Sequence, residues 1–226
     1  MNIKFVVATR ESSDSFYANT ATGRSLALYQ SPQIEICLFP ENSLGLSKIY
    51  NSVIESCLAS PSLLIFMHDD VHLIDYHWMD ALANALQVFS IVGVCGNKRR
   101  VPFQPSWAFP DLTLQFDAQE NLSGLIGHGK CFPPDDLSFF GPPMQQVMLL
   151  DGVMLAAFSE TLIRSYIRFD EKFDFHFYDM DICRQAEIRG LSCGTAAISL
   201  IHESGGNFGS PSWKNSYDAY IQKWGQ

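Results

Sequence analysis

The stretch LLIFMHDDVHL, residues 63–73, places five apolar residues directly before His68, Asp69 and Asp70. A short apolar run bounded by polar residues predicts a buried strand. Two adjacent carboxylates at the end of such a strand repel each other unless a positive charge neutralises them. A divalent cation with oxygen ligands would do so, whereas the bland alternative is a turn or the cap of the next helix. The stretch therefore predicts a buried strand that ends at a metal site or at a polar turn.

The segments around this strand alternate between strand and helix patterns. Strands are predicted at 3–10, 33–39, 61–70 and 91–96, and helices at 46–60 and 75–89, the latter with Asp75 as its N-cap. This alternation predicts an α/β domain with a mixed, mostly parallel sheet flanked by helices. Ligands of such sheets bind beyond the carboxyl ends of the strands, which is where the three polar residues fall.

The second half of the chain has a different composition. Residues 98–147 are rich in Pro, Gly and aromatic residues, which predicts loops and short strands that cover a site. The apolar segment 145–158 is interrupted by Asp151 and Gly152. The remaining predictions are helices at 159–167 with Ser159 as its cap, at 178–190 with Gly190 at its end, and at 216–224, and a strand in 195–206 that ends at His202.

Composition and charge limit the classes of function. The chain has 226 residues, of which 47% are hydrophobic and 17% charged, so we expect one globular domain with a real core. A formal net charge of −9 argues against a nucleic-acid partner. The six cysteines form no C-x-x-C pair, which argues against structural zinc. No signal peptide or membrane span is evident, so we expect a cytoplasmic protein with free thiols, for which contact with a membrane surface is allowed but not required.

A second polar cluster lies in FDFHFYDMDICRQAEIRG, residues 173–190. Acidic residues at a helix start are stabilised by the helix dipole, so a structural role is one interpretation. The neighbouring aromatic residues would also desolvate a carboxylate and raise its pKa towards that of a useful base. His202 follows an apolar strand and is either structural or a further metal ligand, the latter if its strand lies parallel to and near the strand at 61–70.

Together these segments resemble the nucleotide-sugar-dependent glycosyltransferases of the GT-A fold, specifically the family-two-like enzymes. ENSLGLSKIYNSVIESC (41–57) is similar to the segment before the DxD motif, and LLIFMHDDVHL to the strand that ends in that motif, in the branch that reads His-x-Asp-Val. The other similar segments, in order, are LLDGVMLAAF (149–158, acceptor region), FDEKFDFHFYDMDICRQAEIRGL (169–191, Glu-Asp-x-Asp motif), LIHESGG (200–206, late histidine) and YIQKWG (220–225). The resemblance spans nearly the whole chain.

The sequence departs from the family pattern at three places. His68 replaces the first Asp of the DxD motif, so the resemblance makes Asp70 the principal metal ligand. Tyr178 replaces the Glu of the Glu-Asp pair, and Asp179 then occupies the position of the catalytic base. The second strand ends in CLFPEN rather than in acidic residues and Ser.

The resemblance implies a metal-dependent, inverting transfer of a sugar from a nucleotide diphosphate sugar, most commonly a UDP-sugar, to an acceptor hydroxyl. Surface polysaccharide or glycoconjugate synthesis is the implied setting, with a glycan, lipid-linked or protein acceptor, in the cytoplasm or peripherally at the inner face of the membrane. The implied domain is residues 1–226, with a nucleotide-sugar-binding half at 1–100 and an acceptor-binding and catalytic half at 101–226.

The resemblance also assigns roles to individual residues. The implied base is Asp179, and the implied ligands of Mn²⁺ or Mg²⁺ are Asp70, His202 and Asp69. The implied donor-binding residues are Thr9, Arg10, Glu11, Asn51, His68, Asp69 and Arg99. The implied acceptor and sugar-binding residues are Asp151, Gly152, Tyr178, Asp181 and Trp107.

Several of these assignments have structural alternatives. As structural residues, Asp151 would occupy a turn, Asn51 a packed helix, Arg99 a solvated loop and Asp181 a helix cap.

Two other functions use the same residues. A metal-dependent nucleotidyltransferase or phosphoesterase would need the same acids, although the chain has no phosphate loop of the G-x-x-x-x-G-K type. A non-catalytic binding or scaffold protein with this fold is the other alternative, because His68 and Tyr178 depart from the pattern.

Overall fold

The structure, a computed structural model, describes residues 2–225. The strands are β1 (Asn2–Ala8), β2 (Ile34–Phe39), β3 (Ser62–Met67), β4 (Val71–Leu73), β5 (Ile91–Gly93), β6 (Cys95–Asn97), β7 (Leu122–His128), β8 (Asp136–Gly141), β9 (Gln146–Val147), β10 (Leu149–Leu150), β11 (Met154–Phe158), β12 (Cys193–Thr195) and β13 (Leu200–His202). The helices are α1 (Ser13–Asn19), α2 (Ala21–Leu26), α3 (Leu46–Ser56), α4 (Trp78–Leu86), α5 (Ser159–Arg164), α6 (Tyr178–Ile188) and α7 (Pro211–Trp224).

The larger sheet has seven strands in the order β2-β1-β3-β11-β5-β12-β9. Strands β1, β2, β3, β5 and β12 run in one direction, and β11 and β9 run against them. All six residues of β3 are buried, because the strand lies inside the sheet and both of its faces are covered. The predicted mixed, mostly parallel α/β architecture is therefore confirmed.

The smaller sheet brings together parts of the chain that are distant in sequence. Its strands lie in the order β10-β6-β7-β13-β4. Strand β8 also pairs with β7 and lies outside this order. Strand β13 runs antiparallel to β4, and the register places His202 opposite Val71. Because β4 begins directly after Asp70, this register brings the late histidine to the end of β3.

Two of the predicted strands differ in extent from the strands that the structure shows. The segment 91–96 forms β5 in the larger sheet and β6 in the smaller sheet, with the buried Val94 between them. The predicted late strand is shorter than expected: Thr195 is the last residue of β12 in the larger sheet, and only Leu200–His202 forms β13 in the smaller sheet, which ends at His202 as predicted. An apolar run that crosses from one buried sheet to another has the composition of one strand, so its sequence does not mark the crossing.

Two predicted helix caps are also wrong. Helix α4 begins at Trp78 after His77, and Asp75 instead accepts hydrogen bonds from the backbone N–H groups of His77 at 2.8 Å and Ser199 at 3.2 Å. Ser159 is the first residue of α5 rather than its cap, and its hydroxyl oxygen accepts the N–H of Ser62 at 3.0 Å. Both side chains join distant segments instead of capping their own helix.

Aromatic side chains fill the core beneath the start of α6. The ring of Tyr178 packs against Tyr50 and Phe169, at centroid distances of 5.7 and 5.9 Å, and Phe66 completes this cluster. Phe177, directly before α6, has a φ of 67°. The packing fixes the position of the Tyr178 ring, which matters because its hydroxyl lies at the edge of the site.

Candidate functional site

A cavity of about 260 Å³ lies where the ends of β3 and β13, the turn at 151–152 and the start of α6 meet. Seven of the side chains or glycines singled out from the sequence line it: His68, Trp107, Asp151, Gly152, Tyr178, Asp179 and His202. These residues come from both halves of the chain. The fold therefore assembles at one place most of the chemistry that the two polar clusters predicted.

Three of the potential metal ligands form a compact cluster. The ligand atoms of His68, Asp70 and His202 lie within 4.8 Å of one another. Asp70 Oδ1 is 3.9 Å from His68 Nδ1 and 3.3 Å from His202 Nε2. His202 reaches this place because β13 lies antiparallel to β4, and not because it lies parallel to β3 as expected.

The donor set of this cluster fits a divalent cation. Asp70 Oδ1 is buried and has no hydrogen-bond partner among the described residues, an arrangement that costs free energy unless a cation or a donor satisfies the oxygen. Two imidazoles and one carboxylate are ligands that transition metals accept readily, Mn²⁺ among them. Burial alone would raise the pKa of Asp70, but the neighbouring imidazoles hold it below its usual range.

The two histidines of the cluster differ in their electrostatics. Burial lowers the pKa of His68, so its imidazole is neutral at physiological pH. Burial also opposes the charged form of His202, but the carboxylate of Asp70 outweighs this effect and raises the His202 pKa.

Thr22 supports the polar loop between β3 and β4, and sequence reasoning missed it. Its hydroxyl donates to the carbonyl oxygen of His68 at 2.6 Å and accepts the N–H of Val71 at 3.2 Å, and its own N–H donates to the carbonyl oxygen of Asp69 at 3.1 Å. Thr22 is fully buried on the short helix α2. No local signal marks it, because all its partners lie more than forty residues further along the chain.

The side chain of Asp69 is not part of the metal cluster. Burial raises its pKa, and a hydrogen bond from the Thr9 side chain at the end of β1 counteracts this shift. The other residues that follow β1 are tied to their own neighbourhood: Thr9 Oγ1 accepts the N–H of Glu11 at 3.2 Å, and Arg10 donates to the carbonyl oxygen of Asn42 at 2.7 Å. The structure thus places Asp69 near the end of β1, next to the other residues that the resemblance assigned to donor binding.

Two carboxylates lie on the other side of the cavity. Asp151 accepts hydrogen bonds from Trp107 Nε1 at 2.5 Å and from the N–H of Val153 at 2.7 Å. Asp179 accepts the N–H groups of Gly152 at 3.0 Å and Met180 at 2.8 Å. Burial, together with the nearby charge of Asp151, raises the pKa of Asp179 to about 7. A carboxylate with this pKa takes up a proton readily near neutral pH.

His68 and Tyr178, the two residues that depart from the family motifs, contact each other. Tyr178 Oη lies 2.7 Å from His68 Nε2, and the same hydroxyl donates to the carbonyl oxygen of Gly152 at 2.8 Å. Gly152 is required here, since a Cβ at this position would lie 2.4 Å from Tyr178 Oη. The peptide of Gly152 therefore joins the two sides of the cavity: its carbonyl binds Tyr178 and its N–H binds Asp179.

Asn51, Arg99 and Asp181 are among the expected site residues that do not line the cavity, and they have structural partners. The Asn51 side chain donates to the carbonyl oxygen of Phe169 at 2.8 Å and accepts its N–H at 2.9 Å. Arg99 forms an ion pair with Asp117 through Nε at 2.8 Å and Nη2 at 2.5 Å.

Asp181 is the third of these residues and is completely buried. It accepts hydrogen bonds from Lys223 Nζ at 2.6 Å and from Trp224 Nε1 at 2.8 Å. These contacts fasten the C-terminal helix α7 to α6.

Aromatic rings form the outer wall of the cavity. Phe175 stacks on the ring of His68 with a centroid distance of 5.6 Å and is half exposed. Phe208 and the buried Trp107 and Trp213 also line the cavity. A ligand in the cavity would meet polar groups at its floor and aromatic faces at its rim.

Two further findings concern the chain as a whole. The six cysteines are free thiols, of which Cys131 is exposed. Within residues 2–225, no helix combines the length and the hydropathy that crossing a membrane requires.

Comparisons with known proteins give a likeness of structure without one of sequence. No family model matches the chain, and no curated protein matches it. The structure is similar to that of A197 from STIV, with a TM-score of 0.51 and 12% identity over 90% of this chain and 86% of the other. It is also similar to GalNAc-T7 with UDP, GalNAc and Mn²⁺, with a TM-score of 0.52 and 11% identity over 99% of this chain.

The chain spans 48% of the GalNAc-T7 chain, about half its length. A weaker likeness, with a TM-score of 0.49 and 14% identity, is to residues 1–349 of S. aureus TarS in complex with UDP, over 96% of this chain and 63% of the other. At these identities the likeness concerns the fold alone. The fold is that of the GT-A glycosyltransferases, as the sequence predicted.

Proposed function

We propose that the protein is a glycosyltransferase that moves a sugar from a nucleotide diphosphate sugar to an acceptor hydroxyl, with inversion and with Mn²⁺ bound. The observation that carries this proposal is the content of one cavity of the GT-A fold. Two histidines that line this cavity, His68 and His202, form a cluster with Asp70, and the same cavity is lined by Asp179, a buried carboxylate with a pKa of about 7. The cluster of histidines and Asp70 suits a charged leaving group, and the buried carboxylate of Asp179 suits the removal of a proton.

The residues that would hold the cation are His68, Asp70 and His202. A divalent cation there supplies Lewis-acid neutralisation of the diphosphate leaving group. Two imidazoles favour Mn²⁺ over Mg²⁺, since Mg²⁺ prefers oxygen ligands and keeps most of its waters. Asp69 faces the donor from the neighbouring position, and the segment Thr9 to Glu11 at the end of β1 contacts the nucleoside.

Asp179 acts as the general base in this proposal. Each of its carboxylate oxygens accepts one backbone N–H, so each keeps a lone pair for the acceptor hydroxyl. Asp151 is oriented by Trp107 and the N–H of Val153, and it holds hydroxyl groups of the sugar. Inversion needs only one base opposite the leaving group, and Asp179 lines the cavity without being part of the metal cluster.

The acceptor side is the aromatic rim around Trp107. Flat aromatic faces pack against the apolar faces of sugars or against lipid chains, so a glycan, a lipid-linked sugar or a glycosylated protein segment suits this rim. We propose surface polysaccharide or glycoconjugate synthesis on the cytoplasmic side of the membrane as the setting, and a UDP-sugar as the donor.

The products of turnover test this function directly. The protein is incubated with Mn²⁺ and a panel of nucleotide sugars, with simple sugars and lipid-linked sugars as acceptors, and the products are analysed by mass spectrometry and NMR. We expect a free nucleoside diphosphate and a glycoside of inverted configuration. Pyrophosphate or a nucleoside monophosphate would instead indicate a nucleotidyltransferase or phosphoesterase. Binding of a nucleotide without turnover of any donor would indicate a non-catalytic binding protein.

A further inference from the structure

We propose that Tyr178 is a positioning residue that sets the tautomer of His68, so that Nδ1 of His68 presents a lone pair to the cation. The inference rests on the proposed metal site. It concerns the two positions at which the sequence departs from the family pattern. The structure shows that these positions, 110 residues apart, share a hydrogen bond of 2.7 Å.

The number of protons available to the hydrogen bond between Tyr178 and His68 determines the tautomer of His68. Tyr178 has one hydroxyl proton, and it donates this proton to the carbonyl oxygen of Gly152 at 2.8 Å. A carbonyl oxygen can only accept, so that hydrogen bond has only one possible direction. The contact with His68 Nε2 therefore needs its proton from the imidazole. Nε2 carries the hydrogen, and Nδ1 of the neutral ring is left with a free lone pair.

Asp70 would favour the opposite tautomer. Its Oδ1 lies 3.9 Å from His68 Nδ1 and 3.3 Å from His202 Nε2, and a carboxylate oxygen favours a proton on an imidazole nitrogen that faces it. With the proton on Nδ1, the imidazole would direct an N–H at the place where a cation binds. The shorter contact to Tyr178 opposes this arrangement, because a hydrogen bond at 2.7 Å is strong whereas a separation of 3.9 Å is beyond hydrogen-bond range.

Tyr178 and the His68 ring are both held in place. The tyrosine ring is buried against Tyr50 and Phe169, so its hydroxyl cannot follow a rotating imidazole. The other partner of His68 is Phe175, whose ring stacks on the imidazole with an interplanar angle of 22°. A metal-ligating histidine generally donates its second N–H to an outer partner that fixes its orientation, and the hydroxyl of Tyr178 fits that role.

The tautomer is measurable without any metal or substrate. Nitrogen-15 NMR of the imidazoles is recorded on the metal-free protein at mildly alkaline pH, with the His68 signals assigned by comparison with His68→Gln. We expect the Nε2–H form of His68 in the wild-type protein and a shift towards the Nδ1–H form in Tyr178→Phe. Tyr217→Phe is the matched control, since it also loses a hydroxyl that donates to a backbone carbonyl, at 2.9 Å. An Nδ1–H form in the wild-type protein, or no change in Tyr178→Phe, would overturn the inference.

A double-mutant cycle tests the consequence for metal binding. Calorimetry with Mn²⁺ alone is expected to show affinity weakened about 10- to 100-fold by Tyr178→Phe, the range typical of outer partners of metal ligands. In the background of His68→Ala, the same Tyr178→Phe change should alter affinity less than about twofold, because its effect passes through His68. An equal loss in both backgrounds would show a merely structural role for the hydroxyl.

The two proposals fail in different ways. Neither readout of this inference involves a nucleotide or sugar transfer, so a protein that transfers no sugar can still show the expected tautomer and the expected cycle. A protein that transfers sugar but carries the proton on Nδ1 contradicts only the role of Tyr178. A wild-type protein that binds no Mn²⁺ overturns this inference together with the metal part of the proposed function.

Discussion

The cavity has two polar sides that differ in how their carboxylates are satisfied. On the metal side, Asp70 has a buried oxygen without a hydrogen-bond partner in the part of the chain that the structure describes. On the opposite side, both oxygens of Asp151 and both oxygens of Asp179 accept N–H groups. In the proposed function a cation would satisfy the first side, whereas the carboxylate oxygens of the second side already have partners and burial raises the pKa of Asp179.

Carboxylates of one site can therefore perform separate chemistry when their surroundings differ. An unpartnered, charged oxygen beside two imidazoles suits a cation, and a desolvated carboxylate with a raised pKa suits a proton. The peptide of Gly152 connects the sides, because it binds Tyr178 through its carbonyl and Asp179 through its N–H. If the division is correct, substitutions on either side should impair different steps.

The largest expected effect is that of Asp179→Asn on turnover. Removing the general base should lower kcat by about 10² to 10⁴, because proton removal from the acceptor hydroxyl is then unassisted. Mn²⁺ affinity should stay within about twofold of the wild-type value, since this carboxylate is not part of the metal cluster. Steady-state kinetics and Mn²⁺ calorimetry on the same preparation measure the two quantities. A large loss of Mn²⁺ affinity in this variant would show that the two sides are not separate.

The next effect in size is that of Asp70→Asn on metal binding. An amide oxygen is a weaker ligand than a carboxylate, so Mn²⁺ affinity should fall by more than about tenfold, the lower limit for changes at outer partners. The rise in melting temperature that Mn²⁺ causes in the wild-type protein should disappear at the same metal concentration. Differential scanning fluorimetry with and without Mn²⁺ measures this. An undiminished metal-dependent rise would remove Asp70 from the site.

The pH dependence offers a smaller effect that reports on Asp179 as long as the metal site stays saturated. At saturating Mn²⁺, kcat/KM should rise about tenfold per pH unit below pH 7 and level off above it, because the base must be deprotonated and its pKa is about 7. A profile that is flat between about pH 6 and pH 8, roughly one unit on either side of this pKa, would contradict the assignment.

The same pKa predicts the sign of a stability change. The folded-state pKa of Asp179 lies above the unfolded value of about 3.9, so the folded protein binds the proton more tightly. Its contribution to stability is therefore fully present below about pH 3.9 and is lost as the pH rises through 7. Between about pH 5 and 8 the wild-type protein should lose stability as the pH rises, whereas Asp179→Asn should lack this dependence, which urea denaturation at several pH values measures. The same pH dependence in both proteins would contradict a desolvated Asp179.

The smallest functional effect is expected for Asn51→Ala. Both polar groups of this side chain bind the backbone of Phe169, so their loss should lower the free energy of unfolding by about 1–3 kcal/mol. The dissociation constant of a nucleoside diphosphate with Mn²⁺ should change less than about twofold. Urea denaturation and calorimetry separate the two quantities. A large loss of nucleotide affinity at unchanged stability would restore Asn51 to the donor site.

The sequence was sufficient for the elements whose signal is local. Apolar runs located β1, β2 and β3, helical spacing located α3, and Gly190 marked the end of α6. The polar residues at the end of β3 and at the start of α6 were also visible, because acids among apolar or aromatic residues are unusual. These local signals were enough to predict the fold class and seven of the residues that line the cavity.

The remaining features depend on packing between distant segments. The crossing at Val94 lies within one uninterrupted apolar run, and the antiparallel register of β13 with β4 is decided by the smaller sheet as a whole. Thr22 contacts residues 46 and 49 positions away. The contact of His68 with Tyr178 joins two residues that the sequence shows only as separate departures from a pattern. No local spacing encodes such contacts.

The most direct test of the account is the binding of UDP with and without Mn²⁺, measured by calorimetry on the wild-type protein and on Asp70→Asn. UDP is expected to bind the wild-type protein tightly only when Mn²⁺ is present, and Asp70→Asn is expected to abolish the dependence on metal. Other nucleoside diphosphates, tested in the same way, identify the base that the donor carries. Absence of metal-dependent binding with every nucleoside diphosphate would contradict the central claim that this cavity receives a nucleotide sugar.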